Sequence, residues 1–99
     1  MFPTPPQKLP IDLERIDTRK GTWLVAVETI SETKSGENLL VRIVLEQSVD
    51  DAHFRMRTLE LIVRARDARD PDRKQDIARW ICGWIESTEG NGHIDLTQP

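Results

Sequence analysis

Two stretches carry apolar side chains in both phases of a two-residue period, and this limits the fold more than any other feature. The runs Thr22–Ile30 and Asn38–Glu46 are rich in β-branched and aromatic residues, which favour pleated strands. Lys34, Ser35, Gly36 and Glu37 between them have turn composition, so the two runs are expected to form a hairpin. A sheet with one face in water alternates apolar and polar residues. Here one phase holds Trp23, Val25 and Val27 with Leu39, Val41, Ile43 and Leu45. The other holds Leu24, Ala26, Ile30, Leu40, Val44 and Ile62, mixed with Glu28, Arg42, Glu46 and Arg64. Both faces therefore need cover.

A single helix is available to supply it. The spacing predicts a helix from about Pro71 to Thr88. Asp70 is placed to accept an orphan N–H of the first turn, and Pro71 suits a first helical position that needs no N–H. Ile77, Trp80, Ile81, Trp84 and Ile85 recur at i, i+3, i+4, i+7 and i+8, which makes one apolar stripe. Trp84 and Ile81 are expected to be its most buried members. Gly90 supplies the stop. Gly83 sits off the stripe, and reads either as a place where another backbone or ring approaches closely or as a tolerated defect in the helix.

The segment from His53 to Ala65 reads two ways. As a strand it needs a bulge near Thr58 and Leu59 to bring Leu61, Val63 and Ala65 into phase with Phe54 and Met56. As a helix it lines up Ala52, Met56, Leu59 and Val63 but leaves Phe54 and Leu61 among charges. The strand is preferred. Ile11–Ile16 either pairs before Thr22, with Asp17–Gly21 as its turn, or forms a short helix opened by Pro10.

The expected fold is α+β in two layers: an antiparallel meander of three or four strands, with one C-terminal amphipathic helix packed on one face. The 99 residues make one domain over 11–89. Residues 1–10 hold four prolines and read as a disordered tail. Residues 90–99 read as a short extension with the option of an edge strand.

The chemistry-bearing residues are sparse. Asp50 and Asp51 beside His53 fit a turn, where aspartate bonds the local backbone. His93 lies far from His53 in the sequence, and neither belongs to a nucleophile or acid–base motif. Cys82, His53, His93 and the aspartate pair lack the close spacing of a zinc site. No catalytic residue, metal or other cofactor is assigned, no small-molecule substrate is indicated, and an enzyme is not expected. The lone Cys82 has no internal partner, which excludes a disulfide scaffold. With no apolar run near the roughly 20 residues that span a bilayer and no signal-peptide pattern, a soluble cytoplasmic protein is expected, without a membrane partner.

Charge is more informative. The net charge of -3 argues against a generic nucleic-acid binder. Yet segment 55–79 holds eight Lys/Arg against five Asp/Glu. Its Asp67, Asp70, Asp72 and Asp76 interleave with the arginines, as on a solvated, salt-bridged surface.

These features favour a non-catalytic protein–protein interaction module, either self-associating as a homodimer or holding another protein. Its docking surface is expected on the sheet face that carries Leu40, Arg42, Val44, Ile62 and Arg64. The alternative is a nucleic-acid-binding module using Arg55, Arg57, Arg64, Arg66, Arg69 and Arg73.

Overall fold

A computed structural model describes residues 13–97 of the chain. The proline-rich stretch 1–10, and residues 11, 12, 98 and 99, lie outside the described residues. The elements in chain order are β1 (Arg15–Thr18), β2 (Gly21–Glu32), β3 (Asn38–Asp50), β4 (His53–Arg64), the short helix α1 (Ala65–Ala68), a 3₁₀ turn (Pro71–Arg73), α2 (Lys74–Ser87) and β5 (Gly92–Asp95).

The fold is α+β, but the sheet is larger and more curved than the expected meander. Five strands run in the order β1-β2-β3-β4-β5. The first four pair antiparallel through short turns. β5 pairs parallel with β4, because α2 carries the chain back along the sheet before it re-enters, the kind of crossover that parallel neighbours need. The mixed sheet curls into a half-barrel around α2. Contacts at both edges of the sheet hold the helix there. Glu86 accepts the Arg19 backbone N–H at 2.7 Å beside β1, and Gly92 of β5 lies against the Trp84 ring.

His53–Arg64 is a strand, and it runs without a break through Thr58 and Leu59 against Val44 and Ile43. The expected bulge at Thr58 is absent. Unbroken alternation from Val63 through Leu61 and Leu59 puts Arg57, not Met56, on the core side. The irregularities fall elsewhere, between Ser48 and Asp50 and between Val27 and Thr29. The second inserts Glu28 and reverses the phase of β2 beyond it. Ile30, expected on the open face, is thereby paired with Val41 and packed against the core. Bulges also add local twist, which suits a curled sheet.

The core consists of Ile16, Trp23, Leu39, Val41, Ile43, Leu45, Leu59, Leu61 and Val63 from the sheet, with Ala65, Ala68, Ile77, Ile81 and Ile85 against them. On α2 the buried residues repeat every fourth position. Ile81 is fully buried, as expected, but Trp84 is half-buried and Trp80 is 48% exposed. The stripe is narrower than the sequence suggests because a concave trough admits only the ridge of the helix.

Asp70 caps the helical segment by accepting the Asp72 N–H at 2.9 Å, ahead of Pro71. No atom would meet a Cβ at Gly83, so of its two readings the tolerated defect holds and the close approach does not. A close approach occurs at Gly92, where a Cβ would lie 3.0 Å from the Trp84 ring. Gly83→Ala is therefore expected to stabilise the protein by about 0.5–1 kcal/mol, through helix propensity alone. Urea denaturation checks this, and a loss of stability would mean that Gly83 has a contact partner.

Candidate functional site

The convex face of the sheet is built by simple alternation. On β4 the even positions Phe54, Met56, Thr58, Glu60, Ile62 and Arg64 point away from the helix, opposite the buried odd positions. Their cross-strand partners on β3 are Ser48, Glu46, Val44, Arg42, Leu40 and Asn38. β2 adds Leu24 beside Glu46 and Ala26 beside Val44. Leu40, Arg42, Val44, Ile62 and Arg64 thus share one face, with Leu40 directly opposite Ile62.

Apolar groups dominate both ends of this face. Leu24 is 57% exposed, Phe54 59%, Met56 66% and Leu40 43%, with Val44 and Ile62 half-buried. Between them runs a charged row in which the Arg42 Nε lies 3.5 Å from a Glu28 carboxylate oxygen and Glu60 stands opposite Arg42. None of the described helices packs on this side. The bulge expected near Thr58 and Leu59 would have put Phe54 and Met56 in phase with Leu61 and Val63; without it, plain alternation back from Val63 places them on this outer face.

The same alternation puts Arg57 inside, 8% exposed. Its Nε donates to the Gly90 carbonyl at 2.7 Å, Nη1 to the Ile85 carbonyl at 3.2 Å and Nη2 to the Thr88 hydroxyl at 2.8 Å. The guanidinium lies 4.1 Å from the centre of the Trp84 ring. α2 has no basic residue in its last turn, so Arg57 supplies from the sheet the cation that the negative end of the helix dipole favours. Burial lowers its pKa from the ordinary arginine value, and nearby Glu89 opposes that shift. Arg57 is thus removed from any ligand surface.

The remaining arginines of segment 55–79 do not form one patch. Arg55 borders a shallow groove with Lys20 and Gln47 near the β3–β4 turn. Arg64, Arg66 and Arg69 meet at the opposite end of β4, where the strand runs into α1. They line a cleft of about 700 Å³ with Glu37, Asn38 and Thr97. Arg73 lies across a smaller groove of about 260 Å³ with Asp67 and Trp80, and this groove shares Arg64 and Thr97 with the cleft. Arg64 donates to the Thr97 carbonyl at 2.9 Å, and Arg73 pairs with Asp76 at 3.3 Å. Arg66 and Arg69 make no ion pair or side-chain hydrogen bond among the described residues.

The other reactive side chains serve local structure. Asp50 caps the β3–β4 turn by accepting from the Ala52 N–H at 2.9 Å and contacts His53 Nδ1 at 2.8 Å. The Ala52 amide and then the His53 side chain hold the Asp50 carboxyl below the usual carboxylate range. Cys82 is half-buried, with its thiol 3.5 Å from the Asp17 carbonyl. Burial first, then Glu86, push its pKa up against the opposing effect of Arg19, and a raised pKa disfavours the nucleophilic thiolate. Among the described residues no three His, Cys, Asp or Glu side chains gather as metal ligands, and no helix is long and apolar enough to cross a membrane. No family model matches the chain, and neither a curated protein nor a solved structure matches it.

Proposed function

We propose that the protein is a non-catalytic interaction module that pairs with a second copy of itself through the convex sheet face. The observation that carries this reading is the exposure of Leu24, Leu40, Phe54 and Met56 on one side of the sheet. Apolar surface gathered on one face marks docking sites more often than scattered exposed residues do.

Two features favour a second copy as the occupant. The face carries charges of both signs, Arg42 with Glu28 and Glu60. A two-fold axis through this row sets arginine near carboxylate from each side, as a self-complementary interface requires. The strands are also long. Three of them, each roughly 40 Å at about 3.3 Å per residue and spaced about 4.8 Å apart, present on the order of 600 Å². A convex face buries only its crest against its copy, which places the pair below about 1,200 Å² in total, among weaker, reversible interfaces.

Size-exclusion chromatography with light scattering tests the pairing. At about 0.1 mM, within the range where association-prone surfaces show themselves, the wild-type chain is expected at twice its chain mass. Val44→Arg is expected to stay folded by circular dichroism and to run as a monomer. Met56→Lys, at a more exposed position, should weaken pairing with even less risk to the fold. A strictly monomeric wild type overturns the reading. So does a Val44→Arg chain that unfolds when the wild type is already monomeric, since Val44 would then be internal core.

A further inference from the structure

The clefts at the C-terminal end of β4 present a second surface, at the end of the face away from Leu24, Phe54 and Met56. We propose that this basic cleft, with Trp80 at its border, binds single-stranded nucleic acid. The inference rests on how one ten-residue stretch, 64–73, turns at the end of β4 and meets Thr97 from the far end of the chain. Arg64 ends β4, Arg66 lies on α1, Arg69 follows α1, and Arg73 closes the 3₁₀ turn. They line two adjoining grooves, with Arg64, Arg66 and Arg69 in one and Arg64, Arg73 and Trp80 in the other, and Arg64 and Thr97 belong to both.

Electrostatics and shape choose among anionic partners. Arg66 and Arg69 have no carboxylate or other side-chain partner among the described residues. Their guanidinium groups remain available for the paired hydrogen bonds that phosphate oxygens accept. Arg64 is held in place by the Thr97 carbonyl, so its position is set before any ligand arrives. Arg73 is paired with Asp76, so the positive charge comes from Arg64, Arg66 and Arg69 against Glu37 in the larger groove, within a chain of net charge -3.

Trp80 adds what a phosphate site alone does not need. Its ring is 48% exposed and lines the groove beside Arg73 and Arg64. Unstacked bases lie on such rings, while duplex bases are already stacked. A basic track with an aromatic platform is the common arrangement for binding single strands without reading their sequence. Neither α1, four residues long, nor α2, seated in the trough of the sheet, projects as a reading helix into a duplex groove.

Fluorescence anisotropy of a labelled oligo-dT tests this. The probe is roughly 15 nucleotides long, near the upper site size of a small binding domain. Binding is expected at about 50 mM salt and should weaken steeply by about 200 mM, with a log–log slope near −2 to −3 for three or four phosphates neutralised. The Arg66→Ala, Arg69→Ala double variant should bind about tenfold or more weakly and flatten that slope by about 1.4. Trp80→Ala should lose at least about fivefold in affinity with the slope unchanged, because stacking releases no counterions. All three side chains are exposed, so circular dichroism is expected to show intact folds.

Absence of binding at about 50 mM salt overturns the proposal. So does a double variant that binds like the wild type. Equal binding of a duplex with no effect of Trp80→Ala assigns the cleft to phosphate alone and overturns the single-strand reading. Binding to phosphatidylserine vesicles without binding to oligo-dT overturns it in favour of a membrane surface.

Discussion

Arg57→Ala is expected to lower the unfolding free energy by about 3 kcal/mol. The change leaves the Ile85 and Gly90 carbonyls without their donor, and an unsatisfied buried polar group costs about 1–3 kcal/mol. It also removes the guanidinium from the Trp84 ring, a stacking contact worth roughly 0.5–2 kcal/mol. These effects share one side chain and do not simply add. Arg57→Lys should recover only part of the loss, because an ammonium cannot present the planar fork that reaches three acceptors. Chemical denaturation of the three proteins gives the comparison. A loss below about 1 kcal/mol in Arg57→Ala would mean that water replaces the clasp at little cost.

Trp23→Ala is expected to cost about 3–5 kcal/mol, the range for a large aromatic removed from a packed core. Trp23 is 4% exposed and pairs across the strands with Ile16. Such a loss approaches the whole stability of a small domain, so the variant should be largely unfolded at moderate temperature. Its indole Nε1 is buried with no hydrogen-bond partner. Trp23→Phe removes that unpaired donor and should therefore cost clearly less than Trp23→Ala. Thermal melts of both variants measure the difference. Trp84, expected from the sequence to be, with Ile81, the most buried residue of the helix, is half-buried beneath Arg57 and beside Gly92. Its contribution is tied to the clasp rather than to the main core.

The hairpin of β2 and β3, the strand at His53–Arg64, the Asp70 cap and the four-residue spacing of Ile77, Ile81 and Ile85 on α2 are all legible in the sequence, because each is local. The misplaced residues share a physical cause. Ile30 changed faces because Glu28 is bulged out of register, and a single inserted residue reverses every later position in a strand. Arg57 was read as surface because charge usually means exposure. Only the tertiary meeting of β4 with the end of α2 gives its guanidinium enough acceptors to be buried. Phe54 and Met56 are outside because β4 has no bulge at Thr58 and Leu59, so its alternation puts Arg57 inside in their place. The cleft of Arg64, Arg66 and Arg69 was visible as composition but not as a place, because α1 turns the chain there and no local periodicity announces it.

The parallel strand β5 has a consequence for how the molecule opens. Its four residues join β4 only after the whole of 65–91 has looped back, whereas β2, β3 and β4 zip together through adjacent turns. Arg57 bonds Gly90 just before β5 and Ile85 near the end of α2, so releasing that one side chain loosens both. The last turn of the helix and β5 are therefore expected to open together and before the meander, which amide hydrogen exchange would show as shared, lower protection. Such opening uncovers the hydrogen-bonding edge of β4, and an uncovered edge is a template for a strand from another molecule. The same docking that completes the sheet thus also guards it against strand exchange.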